Sequence, residues 1–314
     1  MSSLVAPPLH LFFMTFRYQA YGLQLSSDVE LPELLPANPN APTDIHIRRQ
    51  NLAPELPEAN YTDNYQQIAP GVYQFQIPEV ARYRVEAGSH ISIDPHPHAD
   101  PGDIRLWILG TALGALLHQR GSLPLHASAL ALDGHVFAFC GDSGAGKSTL
   151  AAALHRRGLP LLSDDVGLVV PGTDQVLFNP GFPRIKLWRD ALEHFAWDPA
   201  TLIRDHTRHD KFHLTLGDTF TAQPLPLKRL YLLERSDDDQ VRFQPIQGHE
   251  AIGILRDNTY RPELIRPLGK AGDHLRQCGR VAQGIRVFRF SRPFQLSRLE
   301  DSLDKLLSHM ATAE

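Results

Sequence analysis

Cysteine is nearly absent from this chain. Two in 314 residues, Cys140 and Cys278, cannot build a disulfide framework, so a reducing compartment and a cytoplasmic location are expected. Cys140 lies inside an apolar run, where a small buried thiol is the ordinary reading. Charge of one sign is missing too. With 31 Lys and Arg against 35 Asp and Glu, a net charge of −4 and no long single-sign run, no electrostatic pull toward nucleic acid or an anionic membrane exists, and neither is expected as a partner. Long hydrophobic runs are also lacking. The opening "MSSLVAPPLHLFFMTFRYQAYG" has no basic start, and Pro7, Pro8 and His10 interrupt it short of secretory or membrane-spanning length, so no targeting signal is expected. No Gly-x-Ser-x-Gly elbow, Cys-x-x-Cys pair or His-Glu-x-x-His helix occurs.

What is present divides into two unequal parts. Residues 1–100 are rich in Pro, Asn and Tyr, and "GVYQFQI" and "RYRVEAGSHISI" alternate with period two, which predicts a small β-rich domain. "ELLPANPNAPTD" reads as loop and "DPHPHADPGD" as a Pro-punctuated linker. Residues 101–314 read as a second, α/β domain. It opens with "IRLWILGTALGALLHQRG", apolar at helical spacing and closed by a Gly. "LPLHASALAL" and "HVFAFC", joined by Asp133-Gly134, predict an antiparallel hairpin. Strands are expected at "LPLLSDDVGLVV", "QVLFN", "KFHLTL", "KRLYLLER" and "IRVFRF", and helices at "WRDALEHF", 249–257, 261–283 and 295–309.

The strand "HVFAFC" runs into "GDSGAGKST". Gly141, Gly146, Lys147 and Ser148 fit G-x-x-x-x-G-K-[ST] between a predicted strand and a predicted helix. Each residue type there has a chemical reason. Glycines let backbone N–H groups close around phosphate oxygens, the helix N-terminus adds partial positive charge, Lys147 reaches the β and γ phosphates, and Ser148 can hold Mg²⁺. Asp142, Ser143, Gly144, Ala145, Gly146, Lys147, Ser148 and Thr149 are therefore the candidate nucleotide-binding residues, with ATP and Mg²⁺ as the expected cofactors. A Gly-rich turn that merely caps a helix requires neither the lysine nor the hydroxyl.

Downstream, "LLSDDV" sets Asp164 and Asp165 side by side where a buried strand ends. Adjacent like charges repel and neither favours β structure. A helix from Lys147 to Gly158 that returns the chain along "LPLL" as the next strand would bring the pair beside the loop, where an acid can face the nucleotide's metal. One carboxylate can then serve the ion while the other meets an incoming hydroxyl as base. An exposed Asp-Asp turn is the plainer alternative.

The run from His126 to Val166, "HASALALDGHVFAFCGDSGAGKSTLAAALHRRGLPLLSDDV", resembles the catalytic domain of HPr kinase/phosphorylase and its kinase-like relatives, and the opening "FRYQAYGLQLSSDVELPEL" is similar to the start of the small N-terminal domain of the lasso-peptide-associated members. The resemblance implies an α/β P-loop kinase domain of the HPr kinase / PEP carboxykinase-like type with a small β-rich N-terminal domain, and transfer of the ATP γ-phosphate to a serine hydroxyl of a peptide or protein. By the same resemblance Asp164 serves the metal, with Ser148, Asp165 is the catalytic base, and His126 stands near the transferred phosphate. It also allows a homo-oligomer. Where those kinases carry a further acidic position, this chain has "GFPRIKLWRD". Arg184 and Lys186 there read either as clamps on phosphate oxygens or as a solvated basic turn.

Weaker constellations complete the inventory. "RDHTRHDKFH" gathers His206, His209 and His213 with Asp205 and Asp210, and reads as a charged lid rather than a zinc site, with Lys211 as a candidate contact to nucleotide or substrate. His96, His98 and Asp100 read as spacer. Arg261, in "RDNTYRP", reads as a surface residue that could reach a phosphate. The functional expectation is a serine kinase acting on a peptide or protein, with a lasso-peptide precursor ending in serine as the fitting acceptor. An ATP-binding sensor without transfer, and a small-molecule kinase acting for example on free serine, are the alternatives.

Overall fold

The computed structural model describes residues 14–204, 210–216, 219–236, 238 and 240–312. It is a mixed α/β chain built on two nine-stranded sheets and one of three strands. The first sheet uses residues 16–95. Its alternation is the period-two pattern of the sequence: in Ala81–Glu86 every second side chain is buried, Tyr83 and Val85 completely. Its first two strands, Phe16–Ala20 and Leu23–Ser27, are joined by Tyr21 and Gly22 at φ 58° and 75°, the left-handed pair a two-residue hairpin needs.

Helix 101–119 covers one face of this sheet. Asp100, expected to be spacer, is its N-cap, with Oδ1 accepting from the N–H groups of Gly102 and Asp103 and Pro101 in the first turn. Tyr83 Oη donates to the Ile104 carbonyl and Gln119 Nε2 to that of Val85. The helix is not uniform: Pro101–Trp107 and Leu113–Gln119 are α, and Ile108–Ala112 between them is π. Apolar periodicity alone does not distinguish such a turn from an ordinary one.

In the second sheet the strand His135–Cys140 runs parallel to Leu225–Arg235, which in turn runs parallel to Arg286–Arg292. Side-chain alternation gives this sheet two cores. Phe137 and Phe139 pack with Leu150 and Leu154 of the helix Lys147–Arg156 and with Leu303 and Leu306 of Leu299–Ala311. Val136, Ala138 and Cys140 pack on the other side with Leu255 of Gly248–Asp257 and Val281 of Ala271–Gly284. The burial expected for Cys140 is complete and pushes its thiol up to about 12.

Three expectations are corrected. "LPLHASALAL" is not one strand. Leu123–Leu125 pairs with Gly167–Pro171, and only Ser128–Leu132 forms the hairpin with His135–Cys140. The chain breaks at His126, whose N–H is taken by the Asn258 carbonyl instead of a ladder partner. Leu161–Ser163 is likewise not the immediate neighbour of His135–Cys140, because antiparallel Ser128–Leu132 lies between them. The helix expected at 261–283 starts only at Ala271. Pro262–Leu264 is a short 3₁₀ turn, and Pro267 and Gly269, at φ 70°, separate it from Ala271–Gly284.

Candidate functional site

The 141–146 loop leaves the strand at Cys140 and enters the helix at Lys147. Gly141, Gly144 and Gly146 stand at φ 136°, 89° and 85°, conformations that side chains disfavour. Gly146 is doubly constrained, since a Cβ there would lie 2.6 Å from Arg292 Nη2. Lys147 is buried and folds back over the loop, Nζ donating to the carbonyls of Gly141 at 2.8 Å and Asp142 at 3.1 Å. Burial lowers its pKa, and Cys140, Asp164 and Asp165 oppose that shift. Asn258 Oδ1 accepts the Gly141 N–H at 2.8 Å and so ties the loop to the far side of the sheet.

Asp164 and Asp165 face the same cleft in different states. Asp164 is 6% exposed. Its Oδ1 accepts from Ser128 Oγ at 2.6 Å and its Oδ2 from the Lys186 N–H at 2.9 Å. Burial raises its pKa against these bonds and one from Ser148. Asp165, at φ 97°, turns the other way. Its side chain keeps 35% exposure, with Lys186 Nζ at 3.0 Å from Oδ2 and His126 Nε2 at 3.3 Å from Oδ1. Burial works against its ionisation, but Lys186 and His126 outweigh it and hold the carboxyl well below the usual range. The intervening strand explains how the pair reaches the loop: Ser128, at its start, bridges the distance with its hydroxyl.

Together these groups line a cleft of about 1310 Å³. Of the predicted loop residues, Ser143, Gly144, Gly146, Lys147, Ser148 and Thr149 form its wall. Asp142 and Ala145 contribute carbonyls, to Lys147 and to Arg292, and are not part of that wall. Arg184, Lys186, Lys211 and Arg261 all line it. Arg184 is buried with its guanidinium 5.0 Å over Phe182, Lys211 Nζ stands 4.9 Å over Trp188, and Arg261, at φ 53°, sits 5.5 Å over Tyr260 and 3.6 Å from Glu263. The solvated-turn reading of 184–186 is therefore corrected, whereas the surface reading of 256–262 holds for Arg256, Asp257 and Pro262, which are exposed, and not for Thr259. In the second segment Thr259 is buried, Asn258 holds the loop, and Tyr260 meets His126 edge-on at 6.3 Å.

Residues 205–209, the middle of the expected charged lid, lie outside the described residues. Among the described residues no group of three or more His, Cys, Asp or Glu is arranged to hold a metal ion. A hard cation with a phosphate chain needs less: one hydroxyl and one carboxylate, the remainder coming from phosphate and water. Ser148 and Asp164, both on the cleft wall, are a fitting pair of oxygen donors, and an ionised carboxylate has lone pairs beyond those used by Ser128 and Lys186.

Sequence reasoning missed Ser128, Asn258, Tyr260, Arg292 and the π turn of helix 101–119, whose Gly110 and Thr111 line the cleft. One signal was available: Arg292 ends a strand that runs parallel to the loop's own sheet, and ligands gather at the carboxyl ends of such strands.

No protein-family model matches the chain, and no curated protein matches it by sequence. Among solved structures, that of the Hpr(Ser) kinase/phosphatase from Coxiella burnetii is similar to it at 15% identity and a TM-score of 0.34, over 60% of this chain and 99% of that one. Among the described residues no helix is long and apolar enough to cross a membrane.

Proposed function

We propose that the chain is an ATP- and Mg²⁺-dependent kinase that transfers the γ-phosphate to a serine hydroxyl of a peptide or protein. The observation that carries this reading is the convergence of the Lys147 loop and both aspartates on one cleft. Loop amides and the start of the helix Lys147–Arg156 would receive the phosphates, and Lys147 would neutralise their charge. Ser148 and Asp164 would hold Mg²⁺, which supplies charge neutralisation to the phosphate chain when bound.

The acceptor oxygen attacks the γ phosphorus, the bond from that phosphorus to the β-bridging oxygen breaks, and ADP leaves. Asp165 orients the attacking hydroxyl and takes its proton. In the resting protein Lys186 holds this carboxylate. A phosphoryl group arriving beside Lys186 draws the ammonium toward its equatorial oxygens and leaves Asp165 free for the proton. The late, loose character of phosphoryl transfer suits a carboxylate of low basicity. The acceptor most in keeping with the resemblance of residues 16–34 is a lasso-peptide precursor ending in serine.

A second reading is favoured by one observation. A carboxylate held far into its ionised form by the Lys186 ammonium and a bond from His126 is a weak proton acceptor, as suits a module that binds ATP without transferring phosphate. Incubation with Mg-ATP and seryl peptides, or with free serine, separates the readings. The kinase yields ADP and an acceptor heavier by one phosphate; the sensor binds ATP and leaves every acceptor unchanged.

A further inference from the structure

Arg292 is an unexplained charge. It is 4% exposed, burial alone lowers its pKa, and no carboxylate among the described residues stands within ion-pairing distance. Its Nη1 reaches the Pro293 carbonyl at 3.3 Å and its Nη2 the Ala145 carbonyl at 3.5 Å, two long contacts, and its buried Nε has no partner. A buried guanidinium left in this state is destabilising, and an anionic ligand would offset that. The group lies against the loop, its Nη2 2.6 Å from where a Cβ on Gly146 would stand.

Beside it, Phe294 is 42% exposed and lines the same cleft, so its ring is open to a ligand there. Arg292 and Arg235 stand 5.8 and 5.7 Å from its ring centroid. Leu296 and Leu299 continue the wall with hydrocarbon.

Resting on the kinase reading above, we infer that Arg292 and Phe294 form the nucleoside end of the donor site: Arg292 bonds the phosphate chain where it leaves the loop, and the nucleobase lies on Phe294. This directs the γ-phosphate to the Asp164–Asp165 end. Two contacts of different chemistry can be removed separately. Phosphate contact is common to ATP and inorganic tripolyphosphate; stacking belongs to the nucleotide alone.

The test is calorimetric titration of the full chain with a non-hydrolysable ATP analogue and, separately, with tripolyphosphate, both with Mg²⁺. Phe294→Ala is expected to weaken the analogue roughly tenfold, the size of one lost base–aromatic stack, and to leave tripolyphosphate within about twofold. Phe294→Trp should keep the analogue's affinity, with indole fluorescence quenched on binding. Arg292→Met removes a buried charge at similar volume, so it should fold with an unchanged or higher Tm and weaken both ligands roughly tenfold. Unchanged analogue affinity in Phe294→Ala, equal losses for the two ligands in that variant, or full tripolyphosphate affinity in Arg292→Met would each overturn the inference. A wild-type chain that binds neither ligand overturns the kinase reading itself, and is told apart from these outcomes because no variant is needed to see it.

Discussion

The two large sheets have nine strands each, yet they bury different things. In the first the buried polar side chains are Ser26, Ser27, Gln74 and Ser92, all uncharged. Around the second and in the three-stranded sheet, Lys147, Asp164, Arg184, Arg229 and Arg292 are buried. Burying charge is costly unless something compensates it, so a chain that concentrates ionised groups on one side has placed its chemistry there. Four of those five, Lys147, Asp164, Arg184 and Arg292, line the cleft. Arg229 is the exception that fits: it donates to the carbonyls of His309 and Thr312 and holds the C-terminal helix.

The contrast can be broken by substitution. Lys147→Ala carries the largest expected effect, a loss of about 10³-fold in phosphoryl transfer with weakened nucleotide binding, measured by ADP release and by titration. Asp165→Asn should keep nucleotide affinity and lose transfer by about 10²–10⁴-fold. Loss of binding as well would show that Asp165 serves the nucleotide.

Asp164→Asn tests the cost of buried charge directly. Its carboxylate is destabilised by burial, and the amide can still accept from the Lys186 N–H while Ser128 turns its hydroxyl to accept. Transfer should fall by about 100-fold or more while Tm stays level or rises, by thermal melting. In the first sheet the pattern reverses. Ile47→Ala, at a fully buried position, should cost about 2–5 kcal/mol of stability and leave kcat/KM of the folded protein unchanged.

The smallest effect is on pH dependence, where the two aspartates pull in opposite directions. Asp164 has a raised folded pKa, so as pH falls it takes a proton in the folded chain before the unfolded one: activity declines on the acid side while this site gains stability. Asp165 has a depressed folded pKa, so its contribution is present above the ordinary carboxylate range and is lost only as pH falls below about 4. Asp164→Asn should therefore remove the stability gained as pH falls toward the ordinary carboxylate range, and Asp165→Asn should reduce stability at neutral pH.

The same contrast explains what could be read from the sequence. Period-two alternation marked strands of the first sheet such as Ala81–Glu86, whose one face is dry, and not Val72–Ile77, where Tyr73, Gln74 and Phe75 are all buried. The 141–149 loop and the Asp pair were legible because their chemistry is local, carried by spacing within one turn. The contacts that complete the site are not local. Gly141 finds Asn258 117 residues away and Ala145 finds Arg292 147 away, through parallel pairings that no short window contains. Ser128 became visible only once its strand proved to lie between the loop's strand and that of the aspartates.

The most direct measurement of the central claim is ³¹P NMR of Mg-ATP incubated with the protein and a peptide ending in serine. The account predicts a phosphoserine resonance that grows at the rate ADP appears and vanishes in Lys147→Ala. Unchanged ATP, or ADP accompanied only by inorganic phosphate with every hydroxyl acceptor supplied, would contradict it.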